Sequence, residues 1–202
     1  LGDVKFTQEV LCHFLGSSYT LLDAETLSRL SPKQYIYSKD GLDVLAEPVR
    51  TVIETDGKEQ KTIPGHIYML VVDTSRGVDG DYSAFTIIDI TETPYRIVGK
   101  YRDNKIAPML YPTIIHKVAK DFNMAYVLCE TNLDQVARIL YEELEYENIL
   151  FVSRGKHGQV VSGGFGGGRT QLGVVTDKKV KRIGCFTFKS LVEEKKLLIF
   201  DP

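Results

Sequence analysis

Two short apolar runs in this chain each end on a carboxylate. Ile67-Tyr68-Met69-Leu70-Val71-Val72 leads into Asp73, and Ala125-Tyr126-Val127-Leu128-Cys129 leads into Glu130. Runs of this kind read as strands buried on both faces of an α/β sheet. An acid at the end of such a strand is costly unless it is paired, protonated or bound to a cation. Two acids at neighbouring strand ends make a hard, oxygen-rich site that suits Mg²⁺ or Mn²⁺. The chemistry this implies is metal-assisted, with phosphodiester hydrolysis a leading candidate.

Asp73 is followed by Asp79 and Asp81 in a Gly- and Asp-rich stretch. Asp79 reads as ordinary turn chemistry, whereas Asp81 can return beside Asp73 as a further ligand. A two-ion site wants three or four carboxylates to offset its charge, so Asp73 and Glu130 are insufficient alone. The basic run Lys178-Lys179-Val180-Lys181-Arg182 opens a helix capped by Thr176 or Asp177. It is the densest cationic cluster and suits sequence-independent contact with a phosphate backbone. Residues 153–173 hold eight glycines and read as a long flexible flap over an extended substrate, lined by Arg154, Lys156, His157 and Arg169. Gly163 to Thr170 imitates a phosphate-binding loop with Arg169 in place of lysine. The flanking Val160-Val161 and Gln171–Val175 make a poor strand and a poor helix start, so an ATP site is rejected. His13, His66 and His116 lack metal-ligand spacing, and Cys129 reads as a small core residue.

The elements that position these groups follow from periodicity. Phe6, Val10, Leu11 and Phe14 have helical spacing, and Asp23–Leu30 reads as a second short helix. Asp56-Gly57 marks a turn between Val49–Glu54 and Thr62–Ile63. His66–Asp73, Ser83–Ile90 and Tyr95–Tyr101 predict an antiparallel meander. Pro108–Phe122 predicts a helix, Ala125–Glu130 a strand and 132–146 an amphipathic helix capped by Thr131 or Asn132. A short strand at Ile149–Val152, a helix over Val180–Lys195 and a last strand at Leu197–Phe200 complete the pattern. Such an order gives a mixed sheet flanked by helices, in which the first and fourth strands of the main domain lie parallel and side by side. The division expected is a lead-in segment, 1–60, packed on a domain over 61–202.

The chain has 202 residues with a formal net charge of −2, so any nucleic-acid contact must come from local basic clusters. No apolar run approaches the length of a membrane span. Three dispersed cysteines argue against a zinc site or disulfide framework and fit a reducing, intracellular setting. The chain opens on Leu1 and stops at Pro202 just after an apolar run, as an excised piece of a longer protein would.

Val71-Val72-Asp73-Thr74-Ser75-Arg76-Gly77 with Asp81-Tyr82-Ser83-Ala84 resembles the first catalytic motif of the large terminase subunit of tailed bacteriophages, closest to the myovirus type. Leu128-Cys129-Glu130-Thr131-Asn132 resembles the second motif. Gly173-Val174-Val175-Thr176 with Lys179 and Lys181 resembles the segment preceding the third, and Phe6–Gly16 the stretch joining motor to nuclease. The resemblance implies a ribonuclease H-like, resolvase-type α/β fold and a nuclease that cuts concatemeric double-stranded DNA to start and end packaging. It implies Asp73 and Glu130 as catalytic acids, Asp81 as a nearby ligand, and Mg²⁺ or Mn²⁺ as cofactor, two ions in the complete site. The third catalytic acid of the family lies downstream of Pro202, so the domain is expected to be C-terminally truncated, and neither Asp177 nor Asp201 matches it. The implied partners are double-stranded DNA and, in the full protein, a packaging ATPase domain, the portal and the small terminase subunit, on the prohead in the host cytoplasm. Rival readings are a non-catalytic DNA-binding module, an actin-like or sugar-kinase module, and a Holliday-junction resolvase.

Overall fold

The computed structural model describes residues 20–56, 59–75, 81–131, 134–155, 158–162 and 170–201. The helix expected over Phe6–Phe14 lies outside them. Helix α1 (Ala24–Ser28) starts where Asp23 accepts a hydrogen bond from the Thr26 amide, a side-chain N-cap. Two short strands follow, β1 (Tyr37–Lys39) and β2 (Leu42–Val44). They are joined by Asp40-Gly41, both at positive φ (51° and 83°), which is the twist a two-residue hairpin turn demands. The sequence reading left this Asp-Gly turn unused. The hairpin at Asp56-Gly57 appears as β3 (Val52–Asp56) paired with β4 (Glu59–Ile63), a separate two-stranded ribbon.

The meander forms as the apolar runs predict: β5 (Tyr68–Asp73), β6 (Ser83–Asp89) and β7 (Tyr95–Asp103). Helix α2 (Tyr111–Asp121) carries Pro112 in its first turn, where a missing N–H costs nothing. It returns the chain to β8 (Tyr126–Cys129), which lies parallel to β5. The sheet order is β1-β2-β7-β6-β5-β8. The lead-in thus supplies two strands of the main sheet.

The helix expected over 132–146 is instead a short α3 (Asp134–Arg138) that widens into a π-helical turn (Ile139–Glu143). The Leu144 amide donates to the Ile139 carbonyl at 2.9 Å, and the wider turn lets the adjacent Ile139 and Leu140 both face inward. Thr131 does not cap this helix. Its hydroxyl donates to the Val174 carbonyl at 3.1 Å.

The glycine-rich flap is the largest correction. Residues 151–172 contain three strands, β9 (Phe151–Gly155), β10 (Gly158–Ser162) and β11 (Thr170–Leu172), forming an antiparallel sheet in the order β10-β9-β11. Backbone ladder bonds hold it without burial of Val160 or Val161, which are 62% and 54% exposed. That is why no apolar alternation announced it. Helix α4 (Lys178–Glu193) and a two-residue β12 (Leu197–Leu198), parallel to β7, complete the fold.

Tyr68, Leu70, Val72, Phe85, Ile87, Val127 and Cys129 turn to one face of the sheet and pack under Tyr111, Ile115, Ala119, Val136 and Leu140. A smaller cluster on Ile88, Tyr95 and Ile97 receives Phe188, Leu191 and Val192 of α4. This second layer stops short of β5 and β8. Val71 and Tyr126 are therefore 40% and 42% exposed, and the strands are not buried on both faces as their composition implied. No helix among the described residues is long and apolar enough to cross a membrane.

Candidate active site

The register of the parallel pair decides where the two acids go. Val72 lies opposite Cys129, both buried on the α2 face, and the Glu130 amide continues the ladder by donating to the Val72 carbonyl at 2.8 Å. One residue further on, Asp73 and Glu130 therefore both turn to the open face. Their carboxyl groups lie close together on the wall of one cleft. Asp73 remains open to water there. Partial loss of hydration, then the close approach and the charge of Glu130, raise its pKa to about 6, with a lesser push from Asp81.

Asp81 is exposed where the chain returns into β6, so its charge reaches Asp73 while its carboxyl stands apart. Among the described residues no three His, Cys, Asp or Glu side chains converge as a metal cage. The donor set still suits a hard divalent cation: two carboxylates are forced together, and their repulsion is what such an ion relieves. Asp79 lies outside the described residues.

Behind Asp73 the backbone is held from within the fold. Thr74 and Ser75 are buried, and Ser75 meets the fully buried Ser83 hydroxyl at 3.2 Å. The Tyr111 hydroxyl donates to the Asp73 carbonyl at 3.5 Å. The Thr74 hydroxyl is buried with no hydrogen-bond partner among the described residues.

Beside Glu130 runs a strap, residues 173–177, formed by the Gly173–Thr176 segment of the family resemblance and the capping Asp177. The Val174 amide donates to the Cys129 carbonyl at 2.8 Å, and the Thr131 amide to the Val174 carbonyl at 2.9 Å. Gly173 sits at φ +73°, and a Cβ there would lie 2.1 Å from the Cys129 carbonyl oxygen, so only glycine allows this approach. Gln159 of β10 grips the strap at both groups of one residue: its Nε2 donates to the Val175 carbonyl (2.7 Å) and its Oε1 accepts from the Val175 amide (3.0 Å). Asp177 then caps α4 by accepting from the Lys179 and Val180 amides. The family resemblance of Gly173–Thr176 and the cap at Thr176 or Asp177 marked this segment in the sequence, but not its contact with β8.

Acids and strap enclose an open cleft of about 560 Å³. Val71 and Leu128 form its apolar floor, and Lys181 of α4 stands on its wall with Asp73 and Glu130. Lys178, Lys179 and Arg182 are exposed on the same helix, with Arg182 lying over the Phe186 ring at 5.8 Å. Arg154 is placed by its backbone in β9 opposite Gln159. Lys156, His157 and Arg169 lie outside the described residues.

The remaining candidates are structural. Asp201 accepts from the Tyr35 hydroxyl at 2.5 Å and pairs with Lys100 at 2.6 Å. His66 Nδ1 lies 2.9 Å from Asp89, and His116 meets the Tyr146 ring edge-on. Burial pushes the Cys129 thiol up to about 12, which leaves it inert.

A mixed sheet in this order, with helices on both faces and acids at the ends of its one long parallel pair, defines a ribonuclease H-like α/β protein. The chain belongs to the terminase RNase H-like domain family, which it matches over residues 70–202. Its fold is similar to that of the large terminase nuclease from thermophilic phage G20c. The magnesium-bound form aligns with a TM-score of 0.63 at 16% identity, covering 93% of this chain and 77% of that one. The cobalt-bound form aligns at 0.62 and 19% identity over the same shares. The large terminase nuclease domain of Thermus phage P74-26 aligns at 0.54 and 19% identity, covering 88% of this chain and 70% of that one. At such identities the likeness establishes the fold.

Proposed function

We propose that this domain is a divalent-metal-dependent endonuclease that cuts concatemeric double-stranded viral DNA at the initiation and termination of genome packaging. The observation that carries the reading is the Asp73–Glu130 pair, which lines one cleft at adjoining ends of parallel strands in a terminase-family sheet. Asp73, Glu130 and Asp81 would hold Mg²⁺ or Mn²⁺, with further carboxylate charge needed for two ions. Bound there, the metal supplies a water acidic enough to attack phosphorus and positive charge for the departing 3′ oxygen. Magnesium and cobalt in the G20c nuclease support the cofactor class.

The chain's own residues divide the rest of the work. Val71 and Leu128 give the cleft an apolar floor, so that Asp73, Glu130 and Lys181 are the charged groups that line it. Lys178, Lys179, Lys181 and Arg182 bind the phosphate backbone, with Arg154, Lys156 and Arg169 as further DNA contacts. The larger protein carries the packaging ATPase and works on the prohead in the host cytoplasm, beside the portal and the small terminase subunit.

The test is plasmid nicking in Mg²⁺ or Mn²⁺ by the full-length protein. Asp73→Asn and Glu130→Gln should each lower the rate about a hundredfold or more, with no loss of DNA binding in chelator. Cleavage that survives both substitutions, or survives chelation, would sink the reading.

A further inference from the structure

We propose that Lys181 acts on the scissile phosphate itself, and so differs in kind from Lys178, Lys179 and Arg182, which hold the flanking backbone. The inference rests on the nuclease reading and assigns one residue of the basic cluster to the reacting centre.

Lys181 alone among these four cations lines the cleft that contains Asp73 and Glu130. Helix geometry explains the division. At 100° per residue Lys179 projects almost opposite to Lys181 and Arg182 about 100° away, while Lys178, about 60° away, sits a turn earlier and outside the cleft lining. The position of Lys181 is fixed from outside the helix. The strap is stitched to the end of β8 immediately before Glu130 and gripped by Gln159, and the Lys181 amide donates to the Asp177 carbonyl at 2.9 Å in the capped first turn. The distance between Glu130 and the start of α4 is therefore set by backbone contacts. Among the described residues no carboxylate lies within ion-pair distance of the Lys181 ammonium, whereas Lys189, Lys196 and Lys100 are each paired. A compact ammonium on the wall of an apolar-floored cleft, facing two acids, suits one anionic group placed between them. The phosphate whose oxygens gain charge during hydrolysis is that group.

Substituting a lysine that contacts only backbone phosphate weakens binding and lowers the salt slope by about one. Substituting one that stabilises developing charge lowers the rate on DNA already bound. The experiment measures single-turnover cleavage at saturating plasmid DNA, DNA affinity in chelator from low to high salt, and thermal unfolding, for wild type, Lys181→Met, Asp73→Asn and the triple variant Lys178→Ala/Lys179→Ala/Arg182→Ala. Lys181→Met should cleave bound DNA about a hundredfold more slowly, with a far smaller change in affinity and an unchanged melting temperature. The triple variant should bind more weakly, with its log–log salt slope reduced by about three. Lys181→Met that cuts bound DNA at the wild-type rate, or whose rate loss merely tracks its affinity loss, overturns the proposal while leaving the nuclease reading intact, provided Asp73→Asn is dead. Full-length wild-type protein that fails to cut, or Asp73→Asn in it that cuts normally, overturns both.

Discussion

Asp73 binds its proton more tightly in the native chain, with a pKa of about 6, than in the unfolded chain, where the ordinary value is 3.8. Between those values the native state carries the extra proton, so stability falls as pH rises through that window and the penalty is complete above about pH 6. Because the carboxyl is open to water, screening limits the penalty to about 1 kcal/mol, or roughly 2–4 °C in Tm. Metal-free Asp73→Asn should therefore melt a few degrees above wild type at pH 8, with the gain shrinking towards pH 4. Added Mg²⁺ or Mn²⁺ should raise the wild-type Tm at pH 8 and the variant's far less. Melting curves across pH check this, and a gain equal at both ends would mean that ionisation of Asp73 is not its source. The lost hydration and the nearby Glu130 charge that cost stability prepare the pair to receive a cation.

Elements matter here through the contacts that set their spacing. The strap joins the small β9–β11 sheet to α4 while passing within hydrogen-bonding distance of β8, and Gly173 is the point of closest approach. In Gly173→Ala the new Cβ must displace the Cys129 carbonyl and hold a positive φ. The cost should be at least about 1–3 kcal/mol, measured by urea unfolding. Because Lys181 hangs from this strap, cleavage should fall along with stability. A variant of wild-type stability would mean that the strap is not seated against β8. The open patch beside α4 has a similar logic. The helix covers Ile88 and Ile97 but leaves Val71 and Leu128 bare, so a strand that reads as fully buried becomes the floor of a cleft.

At the scale of the whole molecule, the lead-in belongs to the sheet. β2 covers the edge of β7, with Val44 opposite Gly99 and Leu42 opposite Tyr101. A chain begun at residue 61 would uncover that edge and the Val44 contact with the core, leaving unpaired N–H and C=O groups as a template for another chain. It should melt lower than the full chain and associate in size-exclusion chromatography. A monomer of unchanged Tm would show the lead-in to be dispensable.

The sequence by itself determined the local order and the chemistry available. Apolar runs and helical spacing mark β5 to β8, α2 and α4 because these signals come from residues a few positions apart, and the carboxylates after Val72 and Cys129 stand out for the same reason. The expected parallel pairing of β5 and β8 followed from strand order alone. Signals that rest on burial failed where burial is absent. β1 and β2 are too short to show alternation, and β9 to β11 are held by backbone ladder bonds with Val160 and Val161 exposed, so the latter read as a loop. Only the tertiary structure decided that Asp73 and Glu130 line one cleft, that Lys181 lines it with them while Lys178, Lys179 and Arg182 do not, and that Gly173 and Gln159 hold the strap in place. Those facts depend on register and contact between segments far apart in the chain. No local pattern encodes them, because the free energy that selects them arises only when the whole sheet has formed.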